Sequence, residues 1–207
     1  MEILKRLSYI ILLAAISSFS YAQTDVALQR AFRNSYANEN KKDYQSAIAD
    51  VTPYYSEGNY EVNIRLGWLN YVNKNYNASQ TYYSKAVSIK PNSIEAKFGY
   101  VKPLSFLQSW DKVLAQYTDI IKIDPQNTQA NYWAGVIYYN RKNFAEATKL
   151  FKAVISLYPF DYDGNHMMGW ASLMAGKKPD AKIYFNKALI IKPDDPSSIE
   201  GLSRANK

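Results

Sequence analysis

The sequence predicts an all-α chain assembled from helix–turn–helix repeats, and three observations carry that prediction. Pro91, Pro125, Pro159 and Pro193 are evenly spaced through three successive intervals, a period of roughly 34 residues. Fifteen positions before them lie Tyr76, Trp110, Phe144 and Lys178, so a second position keeps the same period. Between these markers the apolar residues recur with helical spacing, as Ala147, Leu150, Phe151, Val154 and Ile155 do on one face. A period of this length marks stacked supersecondary units that bury their apolar faces on one another.

The first segment reads as an address. Lys5 and Arg6 precede an apolar run from Leu7 to Phe19, and Ser20-Tyr21-Ala22 offers the small residues a signal peptidase reads. The run is shorter than the roughly 20 residues a spanning helix needs. The expectation is export, with cleavage after Ala22 and Gln23 as the new N-terminus. Residues 23–207 then form the repeat domain, in units of approximately 24–57, 58–91, 92–125, 126–159 and 160–193.

Each unit is expected to hold two helices joined by a short break. In 126–159 the segment Asn131 to Asn140 has helical spacing, Arg141-Lys142-Asn143 interrupts it, and Phe144 to Leu157 resumes it. The closing proline stops the second helix, because it has no N–H and disfavours helix at the residue before it. Two units depart from this plan. In 24–57, Asp43-Tyr44-Gln45-Ser46-Ala47 begins a second helix, but Tyr44 stands too close to Tyr76 to keep the period, and no proline closes the unit at the expected place. In 92–125, Tyr100-Val101 replaces a small pair, Val113 replaces an alanine, and Pro103 falls inside the first helix. Its ring meets the Gly99 carbonyl, so a kink or break is expected there, either as a bend of functional use or as the mark of a diverged unit that still packs. Residues 196–205 are expected to add a short helix, with Ser197 or Ser198 near its start, that caps the last apolar face.

These residues resemble the tetratricopeptide repeat. Ala134-Gly135-Val136-Ile137-Tyr138, Ala147 to Phe151 and Pro159 fit its signature, as do Met168-Gly169, Ala181 to Phe185 and Pro193, and Leu66-Gly67, Ser79 to Tyr83, Ala86 and Pro91. The resemblance implies a right-handed α-α superhelix, a solenoid of about five such repeats. It also implies that the first helix of each pair lines a concave surface. The stripe on that surface includes Trp68, Tyr71, Phe98, Tyr132, Tyr139, His166 and Trp170, which are the candidate partner-binding residues. Two readings of these rings stand side by side. They form a recognition groove, since Tyr and Trp give large contact area with few rotors, or they are spacers packed against neighbouring helices. Lys102 is the lone basic residue of the stripe, so a clamp for a C-terminal carboxylate is not expected. Asn63, Asn131 and Asn165 recur at one repeat position, either as a row of hydrogen-bonding groups for a ligand or, the preferred reading, as partners for backbone groups in the first turn of each helix.

Composition narrows the chemistry. Apolar residues make up 47% and charged residues 21%, which is globular composition. There is no Cys, which excludes disulfides, thiolate catalysis and lipid attachment at cysteine. The single His, His166, is expected to pack or hydrogen-bond rather than catalyse. Asp161-Tyr162-Asp163-Gly164 is a fragment of a calcium loop, but Ser172 stands where the closing Glu belongs; Asp161 is expected to cap a helix instead. No cofactor and no metal are expected. The net charge is +7, or +6 without residues 1–22. It is spread over turns such as Lys41-Lys42, Arg141-Lys142 and Lys177-Lys178, so nucleic-acid binding is not expected. The sequence therefore points to a non-enzymatic, exported scaffold for a protein or peptide partner of the cell envelope. A glycan- or cell-wall-binding module using the same aromatics is the alternative.

Overall fold

Local helix signals place every element of the computed structural model, which describes residues 25–207. The expected signal peptide and its cleavage point lie outside the described residues. Among the described residues there are eleven α-helices and no strand. They are α1 (25–40), α2 (Tyr44–Val51), α3 (Tyr60–Val72), α4 (Tyr76–Ile89), α5 (Ile94–Phe106) and α6 (Trp110–Ile123), then α7 (Thr128–Asn140), α8 (Phe144–Leu157), α9 (Tyr162–Met174), α10 (Lys178–Ile191) and α11 (Pro196–Asn206). The described residues divide into two units, one ending at Pro91 and the other spanning Asn92–Lys207. No helix among the described residues is long and apolar enough to cross a membrane.

The register is set by caps. The first helices of the pairs are capped by Asn59, Ser93, Asn127 and Asp161, and α11 by Asp195, each one repeat period after the last. Each cap side chain accepts from the backbone N–H three positions on, occupying a donor the first turn would leave unpaired. Asp161 thus caps α9 as expected. The cap of α11 is Asp195 rather than Ser197 or Ser198, which leaves both serines free to point their hydroxyls elsewhere. Because Asp195 keeps the period, α11 takes the place of the first helix of a sixth repeat.

Asn63, Asn131 and Asn165 follow the preferred reading. Each is buried and donates through Nδ2 to two carbonyls at the entry of its helix: Ser56 and Asn59, Pro125 and Asn127, Pro159 and Asp161. These bonds tie the inter-repeat turn to the helix it feeds and give buried backbone oxygens a partner.

In the first unit, α3 and α4 close on Gly67, where a β-carbon would sit 2.9 Å from the Tyr83 ring. The core there is Ala47, Val51, Val62, Leu66 and Leu69. The second helix of the first repeat is shorter than the unit 24–57 implies. It ends at Val51, and Pro53 sits in a 3-10 turn over Thr52–Tyr54. A proline there cannot donate to the carbonyl four positions back, which accounts for the early stop.

In the second unit, the same small-against-ring contact recurs at Gly135 with Phe151 and at Gly169 with Phe185. Pro103 does not break α5. The helix runs through it, the ring is fully buried, and the Leu107 N–H bonds to the Pro103 carbonyl at 2.9 Å. With Pro103 in the last turn, few carbonyls remain downstream to be misaligned, and burial of the ring offsets the lost hydrogen bond.

Candidate functional site

All seven predicted stripe residues are half-buried, neither core nor open surface. What covers each one differs between the units. In the first unit, the Trp68 indole donates to Glu39 of α1 at 2.5 Å, and its ring lies 5.8 Å from Tyr71, which in turn lies 6.0 Å from Tyr76. Glu39 also pairs with Arg65, a buried guanidinium whose Nε donates to Ser35 at 3.0 Å and whose plane lies over the Tyr36 ring. Trp68 is therefore held in one orientation by an acid–guanidinium network reaching from α1 to α3. Burial raises the Tyr71 hydroxyl above its ordinary pKa, with the Tyr76 hydroxyl adding to the shift.

In the second unit, Phe98 packs edge-on to Tyr117 at 6.3 Å. Tyr132 contacts Trp133 at 5.2 Å and Phe151 at 5.9 Å, and Tyr139 contacts Phe144 at 5.6 Å. Each ring is partly buried, packed against the core of its repeats. Burial raises both the Tyr132 and Tyr139 hydroxyls.

His166 and Trp170 are brought together, but by the chain itself. The Trp170 indole donates to the Ser197 hydroxyl at 3.1 Å, and its ring meets Phe185 at 5.2 Å. His166 stacks on Tyr162 at 5.4 Å, and its two ring nitrogens lie 2.9 Å from Ser198 Oγ and 3.3 Å from Ser197 Oγ. The Asp195 carboxylate sits 3.7 Å from His166. Burial lowers the His166 pKa, outweighing the attraction of Asp195 and Asp163. Burial alone would raise Asp195, but bonds from the Ser198 N–H and hydroxyl, Tyr162 and Lys192 outweigh it and hold the carboxyl at about 2. This cluster seats α11. Gly201 completes the fit, since a β-carbon there would run into the Phe185 ring.

A cavity in the second unit was not expected from the sequence. Between the end of α5, the start of α6 and α7 lies a cavity of about 820 Å³. Its walls are Trp110 and Trp133, each nearly half exposed, with Val113, Tyr117, Val136 and Ile137 deeper in. The Arg141–Asp111 ion pair, 2.7 Å, stands at its edge. The visible signal was the departure at Tyr100-Val101, whose consequence depends on three helices meeting. Among the described residues no group of three or more His, Asp or Glu side chains could hold a metal ion.

Comparison with known proteins bears on the fold. Two tetratricopeptide repeat profiles match, over residues 60–93 and 107–162. Residues 94–106, which are α5, lie outside both. No curated protein sequence matches the chain. Among solved structures, a tetratricopeptide repeat protein from Parabacteroides merdae ATCC 43184 aligns with a TM-score of 0.73 at 19% identity, covering 86% of this chain and 72% of that one. YrrB, described as a TPR protein with an unusual peptide-binding site, aligns with a TM-score of 0.73 at 15% identity over 90% of this chain and 97% of its own. MamA aligns with a TM-score of 0.71 at 19% identity over 82% and 94%.

Proposed function

We propose that this chain, a member of the tetratricopeptide repeat family, is an exported, non-enzymatic adaptor that holds a protein or peptide of the cell envelope on the aromatic face of its first helices. The repeat fold is a scaffold with protein-binding capacity; export, the face used and the partner are the proposal. The observation that carries it is the half-burial of Trp68, Tyr71, Phe98, Tyr132 and Tyr139. Rings held by their neighbours yet only partly buried present apolar area and polar edges without the ordering entropy of mobile side chains. His166 and Trp170 leave this set, because Ser197 and Ser198 of α11 engage their polar atoms. Export rests on residues 1–22.

The test is in-cell photocrosslinking. A photoreactive residue at Tyr71 or Tyr139 is expected to capture one envelope protein, whereas one at Lys152, on an exposed outer position, captures none. Trp68→Ala should reduce that capture while far-UV circular dichroism is unchanged. Equal capture from all three positions would sink the assignment of the face. Retention of the chain by purified cell wall, undiminished by Trp68→Ala, would transfer it to the glycan-binding class. N-terminal sequencing of the mature chain should read from Gln23.

A further inference from the structure

We propose that the cavity between α5, α6 and α7 is a socket for one aromatic side chain of an extended peptide, with Tyr117 supplying a hydrogen bond to its polar tip. This rests on the peptide-binding reading above for the class of ligand, but it uses a site distinct from the five aromatic residues named there.

One position sets the repeat that borders this cavity apart from the others. In the repeats holding Gly67, Gly135 and Gly169, the first helix offers no side chain, and the ring of Tyr83, Phe151 or Phe185 drops against it; a β-carbon would sit 2.7–2.9 Å away. The same position in repeat 92–125 is Val101, and the same ring is Tyr117. A valine cannot be accommodated at that spacing, so the Tyr117 ring cannot seat on the α5 backbone as its counterparts do, and it meets α5 through side chains such as Phe98 instead. Tyr117 is nevertheless 7% exposed. Burial pushes its hydroxyl up to about 12. Tyr117 lines the cavity, so its hydroxyl is placed to donate to or accept from a polar atom of a ligand seated there.

The lining selects the ligand. Val113, Val136 and Ile137 are branched aliphatic groups that favour apolar contact, and the Trp110 and Trp133 rings add flat walls for a third ring. A sugar placed here would turn several hydroxyls onto these aliphatics, with Tyr117 satisfying one of them. The charges at the edge, Asp111 and Arg141, neutralise each other, so neither an anionic nor a cationic group is favoured. The exposed amides of Gln108 and Asn140, also lining the cavity, match the donor and acceptor of a peptide unit on either side of the inserted ring. A cavity of about 820 Å³ is larger than one ring requires and leaves room for that main chain.

The test titrates the full chain with capped tripeptides carrying tyrosine, phenylalanine or alanine between glycines. The indole N–H resonances of Trp110 and Trp133, assigned from Trp110→Phe and Trp133→Phe, report binding. The tyrosine and phenylalanine peptides should shift both resonances saturably, and the alanine peptide should shift neither. Tyr117→Phe should weaken the tyrosine peptide about five- to tenfold and leave the phenylalanine peptide within about twofold. Val136→Phe, which fills the cavity, should abolish both. The socket is overturned if the alanine peptide binds equally, if Tyr117→Phe weakens both aromatic peptides alike, or if a trimer of N-acetylglucosamine shifts these indoles where the peptides do not. Loss of these titrations alongside intact crosslinking at Tyr71 and Tyr139 removes the socket alone. Intact titrations without crosslinking remove the envelope reading and retain the socket.

Discussion

Repeats 92–125 and 126–159 share one register, and their helices begin and end at equivalent residues, yet their interiors solve the same packing problem differently. In 126–159, Gly135 lets the Phe151 ring seat against α7, and Asn131 ties the entry turn to the helix. In 92–125, Val101 keeps Tyr117 from seating on the α5 backbone, and the position of Asn131 is taken by Lys97, which is buried and reaches Asp119 at 3.7 Å. One repeat is closed; the other borders a cavity and holds a buried cation. Helix length and turn geometry are thus set by caps and prolines, while the fit between the paired helices is set separately by the residue facing the ring. The two can diverge independently.

The largest predicted effect tests how closed each interface is. Phe151→Ala should cost about 4 kcal/mol, because a fully buried ring leaves a cavity that neighbours fill poorly. Tyr117→Ala should cost roughly 2 kcal/mol, since that ring already borders empty space and makes fewer contacts on one side. Urea unfolding of the two variants measures the gap; equal costs would mean that the two interfaces are equally packed. Exchange of the facing residue should be as asymmetric. Gly135→Val forces a side chain into a 2.7 Å approach and should cost about 3 kcal/mol. Val101→Gly should cost only about 1 kcal/mol, the helix propensity of glycine, while the Trp110 and Trp133 fluorescence changes as the cavity closes.

The buried polar position gives the next contrast. Asn131→Leu strands the Pro125 and Asn127 carbonyls and should cost about 2 kcal/mol. Lys97→Met exchanges a desolvated cation for an apolar chain of similar length and should be neutral or stabilising by about 1 kcal/mol. A Lys97→Met variant as damaged as Asn131→Leu would show that the ion pair with Asp119 holds the repeat together.

Much of this was legible in the residues. Pro91, Pro125, Pro159 and Pro193, with the aromatic or lysine position upstream of each, marked both ends of every second helix in the four repeats after the first. The recurrence of Asn63, Asn131 and Asn165 signalled a backbone role that the hydrogen bonds bear out. The capping series through Asp195 was equally periodic, but Ser197 and Ser198 are good caps by residue type, and only the backbone shows which residue takes the role. Pro53 was visible, yet its effect on α2 depends on where the helix begins. The site was less legible. His166 and Trp170 lie on the expected stripe, but what covers them is α11, separated from them in the chain by the whole of α10, and only tertiary placement reveals that. The socket is harder still: Val101 changes how a ring on the next helix seats, and the cavity that ring lines is walled by a third helix.

The cap on the last repeat adds a pH dependence near neutrality that the internal repeats lack, since His166 is the single His. His166 has a lowered pKa in the folded chain, so the unfolded chain binds the proton more tightly. Stability held above about pH 6.5 should fall as pH drops through that ordinary value. Asp195 adds a second loss between 3.8 and about 2, where its carboxyl becomes protonated. Amide exchange in α11 should accelerate between pH 7 and 5 ahead of exchange in α7, and His166→Gln should flatten that difference. Uniform acceleration across both helices would remove His166 as its source.

The smallest predicted effect lies in the turn between paired helices, where the comparison becomes one of a single backbone angle. Lys74, Gln108, Lys142 and Gly176 hold the same place in successive repeats, and all have positive φ, from 54° to 77°. The left-handed conformation brings an L-residue's Cβ close to its own carbonyl, a strain of about 1 kcal/mol that glycine does not carry. It persists because it lets the chain reverse while the last carbonyls of the first helix find donors, as when the Asn143 N–H bonds to the Tyr138 carbonyl at 2.9 Å. Gly176→Ala should therefore lower stability by about 1 kcal/mol, and Gln108→Gly and Lys142→Gly should each raise it by somewhat less, because glycine also adds freedom to the unfolded chain. Melting temperatures of the three variants decide the matter. If Gln108→Gly stabilises and Lys142→Gly does not, the Lys142 side chain makes a compensating contact, and the turns of the two repeats differ as their interiors do.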